Sequence, residues 1–282
     1  MLVNLRDIMA IAEQQNMAIG AFDTPSLEGL RAVIDAAEET GMPVIISQAE
    51  CHEEYTPLDV IGPIMVDMAQ RSSATICVHL DHCEHLEYMR RALEMGFTGA
   101  MYDGSLLPYE INVANSARAV EMCASFDAGV ECELGSMGAR EGGDAVSANA
   151  IYTDPAQAVD FISRTGIDAL ACSFGTVHGL YRAEPKLNFD IVRGVREQQM
   201  IPIVMHGGSG VSDADYIDAI NAGVRKINYY TYGVKAGGEA AAKVVAQKNG
   251  GPVYWHDLTP VAYEAMRKDT IRAMKVFANG NL

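Results

Sequence analysis

Val78-His79-Leu80-Asp81-His82-Cys83 decides how this chain is read. The apolar or β-branched residues Thr75, Ile76, Cys77 and Val78 run into a carboxylate and an imidazole with no polar spacer. That pattern reads as a buried strand that delivers Asp81 and His82 at its end. A short apolar strand stopping on two reactive side chains places chemistry above a sheet, where active-site loops sit. The same letters also spell a plain strand and a polar turn, with His82 capping the next helix, so the remaining segments have to arbitrate.

Working outward, strand-like apolar runs alternate with amphipathic helical runs from end to end. The strands are expected at Ala18–Phe22, Pro43–Ala49, Thr75–Leu80, Gly99–Tyr102, Gly129–Leu134, Ala169–Phe174, Ile201–Met205 and Lys226–Asn228. Between them the 3.6-residue period predicts helices over Leu27–Thr40, Leu58–Ser72, Glu84–Met95, Pro108–Phe126, from Asp154-Pro155 onward, Phe189–Gln198 and Ser212–Ala222. Val234–Lys248 and Pro260–Ala278 close the chain. Gly41 is placed to end the first of these, and Asp154 and Ser212 to cap two later ones. Eight βα units without a break in composition predict a single α/β domain over residues 1–282, a (β/α)8 TIM barrel. A doubly wound open sheet is the alternative, but the first βα turn lacks the Gly-x-Gly-x-x-Gly fingerprint of a dinucleotide fold.

Composition narrows the partners. The 282 residues are 49% hydrophobic and carry a net charge of −16, which argues against nucleic acid and anionic membranes as partners. A local phosphate site stays open, because backbone amides and helix N-termini can supply one. Six scattered cysteines look like small core residues in a reducing compartment. Met1–Asn16 is amphipathic and carries Arg6, Asp7 and Glu13, unlike a signal peptide, and no apolar run approaches the roughly 20 residues that span a bilayer. The expectation is a cytoplasmic protein.

A barrel gathers its strand ends on one face, where catalysis sits. The ends here carry Asp23, Asp81 with His82, Asp103, Glu133, then His178-Gly179, His206-Gly207-Gly208-Ser209 and Asn228. Three histidines at three strand ends match the protein ligand count of a catalytic zinc site that keeps a position open. Gly207, Gly208 and Ser209 offer donors for a phosphate, in a part of the barrel where phosphate sites often lie. The Gly-hinged loop Gly135–Asp144 carries Glu141 and has the character of a lid that brings in a carboxylate. Lys226, the one lysine at a strand end, is weighed as a Schiff-base nucleophile and set low, because a metal makes such a lysine unnecessary.

Taken together, Val78-His-Leu-Asp-His82, Met101-Tyr-Asp-Gly-Ser105, Glu131-Cys-Glu-Leu-Gly135, Gly175-Thr-Val-His-Gly-Leu-Tyr181, His206-Gly-Gly-Ser-Gly210 and Lys226-Ile-Asn228 resemble the class II, zinc-dependent aldolases of ketose phosphates. The resemblance implies Zn2+ on His82, His178 and His206, with Asp81 as acid/base at the aldehyde-derived oxygen and Glu141 moving the proton at the nucleophilic carbon. It implies that Gly179, Gly207, Ser209 and Thr231 hold the phosphate of dihydroxyacetone phosphate, beside a monovalent cation (Na+ or K+). Asn228 would contact the donor, and Asp103 and Glu133 would stand behind the metal or form an alternative metal site. The implied substrate is a small phosphorylated sugar, and a homodimer or homotetramer is expected.

The departures lie on the acceptor side. Tyr263 stands where the family commonly has an arginine tied to the second phosphate; Ala49 stands for a hydroxyl residue, Asp23 for Asn and Cys83 for Gly. Losing a cation weakens anion recognition, which suggests a ketose 1-phosphate whose aldehyde lacks a terminal phosphate, with fructose or tagatose bisphosphate as the conservative substrate. Two other functions fit the same residues: a metal-dependent barrel hydrolase or isomerase, and a barrel that binds metal without catalysis.

Overall fold

The computed structural model describes residues 1–136, 151–181 and 184–281. Its strands are β1 (Ile19–Asp23), β2 (Val44–Ala49), β3 (Ile76–Cys83), β4 (Gly99–Tyr102), β5 (Gly129–Leu134), β6 (Ala169–Cys172), β7 (Ile203–Met205) and β8 (Val224–Asn228). They pair in parallel in chain order, and β8 returns to β1 to close the barrel. The (β/α)8 expectation holds. The helices are α1 (Leu5–Gln15), α2 (Leu27–Thr40), α3 (Leu58–Arg71), α4 (Leu86–Glu94), α5 (Tyr109–Ser125), α6 (Pro155–Thr165), α7 (Phe189–Arg196), α8 (Asp213–Ala222), α9 (Thr231–Gln247) and α10 (Trp255–Phe277).

Local chemistry sets the helix ends. Ser26, Asp154 and Ser212 accept hydrogen bonds from Gly29, Gln157 and Asp215 backbone N–H groups at 3.0–3.1 Å. Gly41 and Gly166 leave α2 and α6 in the left-handed conformation. Two helices start earlier than the pattern suggests. α9 begins at Thr231, and α10 begins at Trp255, with Pro260 inside it and Tyr254 and Asp257 forming a capping box. Pro260 is the sixth residue of α10, past the first turn where proline is at home, so it does not mark the start.

The amphipathic N-terminus is α1, which plugs the bottom of the barrel. Leu5, Ile8 and Ala12 are fully buried. Glu13 holds Arg225 Nε at 2.8 Å and Arg196 at 2.5 Å. The plug needs room: a Cβ at Gly99 would lie 2.8 Å from His79 Nδ1 and 3.1 Å from Leu5 Cβ, and one at Gly129 2.8 Å from Leu5 Cβ. With the bottom closed, function is left to the opposite mouth, at the C-terminal strand ends. All six cysteines are free, and among the described residues no helix is long and apolar enough to cross a membrane.

Replacing Gly99 by alanine forces His79 or α1 to shift. A loss of about 1–3 kcal/mol in denaturant unfolding is expected, the range for overpacking a tight core; an unchanged midpoint would contradict the plug packing.

Candidate metal centre and active site

β3 does not stop at Leu80 but runs through Cys83, with its pairing to β4 shifted between Leu80 and Cys83. Neighbours in a regular strand point to opposite faces. Here His82 takes φ +42°, a left-handed backbone that costs a non-glycine residue about 1 kcal/mol or more. The irregularity lets Asp81 and His82, adjacent in sequence, both face the mouth. His206 follows β7 directly, and His178 lies in the connection from β6 to α7.

The three imidazoles converge. His82 Nε2 lies 2.9 Å from His206 Nδ1 and 3.2 Å from His178 Nε2, and the ligand atoms of all three lie within 4.8 Å of one another. Nitrogens on a tetrahedral ion at 2.0–2.1 Å stand roughly 3.3 Å apart. Two rings are fixed from behind: His82 Nδ1 meets Asp103 Oδ2 at 2.9 Å, and His206 Nε2 meets Glu131 Oε1 at 2.7 Å. A carboxylate on the far nitrogen selects the tautomer that turns a lone pair toward a metal. Asp103 is itself held by the Ser105 hydroxyl at 2.7 Å and the Ser105 backbone N–H at 3.1 Å. His82, Asp103 and Glu133 form a second cluster able to hold a metal.

Charge balance asks for a cation. Burial pushes Glu133 well above the usual carboxylate range, with Asp103 adding to it, so it is the neutral member. Burial also works against Asp81, Glu131 and Asp103, but neighbouring positive groups outweigh it and hold all three down. His82 responds in the opposite sense: burial lowers it, yet Asp81, Asp103 and Glu133 push it up to about 10. With His82 unprotonated, as a metal ligand must be, three carboxylates against the ammonium of Lys226 leave two negative charges, which a divalent ion would neutralise. The donor set therefore fits such an ion.

Asp81 is fully buried beside this point, its two oxygens each 3.0 Å from Asn228 Nδ2. The residues expected to hold a phosphate line the same rim. Gly207 takes φ +63°, and a Cβ there would strike the Val177 carbonyl; Gly179 takes φ +86° with open space around it. Ser209 Oγ accepts from Tyr230 N at 3.1 Å, which sets it against the first turn of α9, where Thr231 is the first residue. Gly208 differs from expectation. Its amide is spent on the Asn228 carbonyl at 3.0 Å, so it braces the loop and offers no donor. Glu141 and the rest of the loop from residue 137 lie outside the described residues; Ser136 and Ile151 bridge its base through two 2.9 Å hydrogen bonds.

Two buried groups carry more than the sequence assigned them. Glu131, quoted above only as part of a motif, supports His206. Lys226 lies beneath the mouth, fully enclosed, 2.8 Å from Glu131 Oε2. The signal was available: Glu131 and Glu133 alternate on one face of β5, as Lys226 and Asn228 do on β8, so all four point into the barrel. Tyr263 is elsewhere. Its hydroxyl donates to Asp35 at 2.6 Å and Arg31 lies over its ring, both on α2 in the outer helical layer.

The description "Fructose-bisphosphate aldolase class-II" fits residues 3–281 as a family match. The chain belongs to that family. YdjI of Escherichia coli K12 is 35% identical over 279 residues, covering 99% of this chain and 98% of YdjI. A crystal structure described as the YdjI aldolase superposes with a TM-score of 0.86 at 34% identity, over 100% of this chain and 99% of that one. A Bacillus subtilis (strain 168) protein named "Probable fructose-bisphosphate aldolase" is 33% identical over 285 residues, 99% of each chain. Class II aldolases are generally metal-dependent, which agrees with the convergent donor set of this family member.

Asp103→Asn removes the charged acceptor that orients His82. Affinity for a divalent metal should fall about 10–100-fold, the usual cost of losing such a partner, as read by titration in a metal buffer. Unchanged affinity would mean that Asp103 does not serve the site.

Proposed function

We propose that this chain is a zinc-dependent aldolase that reversibly cleaves a ketose 1-phosphate to dihydroxyacetone phosphate and an aldehyde. The observation that carries the reading is the convergence of three imidazole nitrogens beside a buried, ionised Asp81 at the C-terminal mouth of a class II aldolase barrel. Zinc on His82, His178 and His206 would supply a Lewis acid for the negative charge that develops on the donor as the carbon–carbon bond breaks.

The chain's own residues then divide the proton work. Asp81 takes the proton from the C4 hydroxyl as C3 and C4 part, and C4 leaves as the aldehyde carbon. Its ionised state and its position against Asn228 suit that task. The electron pair stays on the donor carbon, C3, which receives a proton from Glu141. Asn228 holds Asp81 and contacts the donor hydroxyl. Gly179, Gly207, Ser209 and the Thr231 end of α9 hold the phosphate, where backbone amides and a helix N-terminus favour an anion; Gly179 and Gly207 would also hold a sodium or potassium ion that offsets the phosphate's charge.

On the acceptor side, Tyr263 belongs to the outer layer, so its replacement of arginine does not bear on this chain's own cleft. Asp23 and Ala49 do bear on it. Ala49 pairs in register with Asp81, and Asp23, which is 9% exposed, ends β1 beside Ser47. A carboxylate on that wall repels a second phosphate and accepts hydrogen bonds from hydroxyls, which favours an uncharged polyhydroxy aldehyde. Residues Val234, Val245, Tyr254 and Trp255, exposed on and around α9 and α10, support a homodimer or homotetramer. A cytoplasmic setting suits the free cysteines.

Deuterium exchange into dihydroxyacetone phosphate tests the reading without needing the right aldehyde. Exchange should be lost with a chelator and restored by zinc; no exchange under either condition would overturn it and favour a hydrolase, an isomerase or a non-catalytic barrel. Asp81→Ala should cut cleavage by about 10²–10⁴-fold, the range for losing a general acid–base, while sparing exchange. Glu141→Gln should abolish exchange first. Equal loss of both activities in both variants would contradict the division of roles.

A further inference from the structure

Lys226 sits at the centre of the barrel's buried charges but outside the steps above. Its side chain is fully enclosed on β8. Its ammonium lies 2.8 Å from Glu131 Oε2, 2.7 Å from Asn228 Oδ1 and 4.0 Å from Asp81 Oδ1. From there, contacts run both ways: Glu131 to His206 Nε2 at 2.7 Å, and Asn228 Nδ2 to both oxygens of Asp81 at 3.0 Å. The side chain of Lys226 thus bridges one metal-ligand candidate and the proposed proton carrier, which reach the mouth from different strands.

We propose that Lys226 is a positioning residue: its ammonium fixes the orientation of the Asn228 amide, and through Glu131 it holds the ring of His206. The argument is one of donors and acceptors. An ammonium only donates, and an ionised carboxylate only accepts. Asn228 lies between the two, so its carbonyl must face Lys226 and its NH2 must face Asp81. The flipped amide would set NH2 against NH3+ and C=O against COO−, losing both contacts. Remove the ammonium and the amide is held from one end alone, by Nδ2 against Asp81 at 3.0 Å and His206 Nδ1 at 3.2 Å, and Glu131 becomes a buried charge without its cation, which is costly. No covalent role is available to a lysine committed to these acceptors at this depth.

The inference rests on the aldolase reading, and the experiment separates the two. Turnover and zinc affinity are measured for Lys226→Met, Asn228→Ala and the pair. Lys226→Met should lower kcat about 100-fold, the scale of a misplaced reacting group, with KM for the ketose phosphate within about threefold. Zinc affinity should fall about tenfold, as for loss of support behind a ligand. The double variant should be no slower than the worse single one, because both act through the same amide. Additive losses in kcat, or wild-type turnover in Lys226→Met, would overturn the proposal. So would a borohydride-trapped adduct of dihydroxyacetone phosphate on Lys226. If Lys226→Met does not fold, the same cycle is run with Glu131→Gln as background, which removes both buried charges together. Should the wild-type protein fail to exchange deuterium, the aldolase reading falls; a fall in zinc affinity in Lys226→Met would still uphold the link to His206, and unchanged affinity would overturn it.

Discussion

A dry barrel interior cannot hold a charge that nothing answers, and this one holds several. Asp81, Glu131 and Lys226 are fully buried, with Glu133 and Asp103 close by. The cost of burying them is met only if each faces a partner. That requirement orders the whole mouth. Lys226 answers Glu131, Glu131 answers His206, Asn228 answers Asp81, and Asp103 answers His82. With His82 unprotonated, two negative charges remain, and they lie where three imidazoles present nitrogens to one another. The polar belt is thus both the structural problem of the barrel and the device that holds a metal centre in shape.

The supporting layers follow from that demand. α1 covers the bottom of the barrel with the buried Leu5, Ile8 and Ala12. Gly99 and Gly129 are small because His79 and Leu5 need their space. The irregular turn at Asp81–His82 departs from regular strand geometry at the residues with most to gain from it. A strained His82 survives because Asp103, His178 and His206 fix its ring from three sides.

Membership in the class II aldolase family agrees with this arrangement without setting the substrate. The proposed donor half is built of backbone turns and a helix end, features that suit a phosphate. The acceptor half is built of side chains, Asp23, Ser47 and Ala49 among them, and there the sequence departs from the common pattern. On the proposed reading, selectivity for the aldehyde rests on few residues near the rim, and the chemistry on the belt beneath.

Much of this was legible in the sequence. Apolar runs of three to seven residues alternating with helical periods pointed to a parallel sheet under helices, and glycines and capping residues marked most boundaries. Histidines at strand ends stood out because imidazoles are rare there without a purpose. What the sequence could not decide was direction and distance. Period-two alternation places Asp81 and His82 on opposite faces, and only the shifted pairing with β4 turns both inward. Proximity in the family pattern suggested that Tyr263 faces substrate, yet helix packing turns it to α2. Lys226 and Glu131, 95 positions apart in the numbering, meet because barrel closure brings β8 across from β5. Strand and helix propensities are local and survive in the letters; the pairing of buried charges is a property of the closed barrel, and only the tertiary structure could settle it.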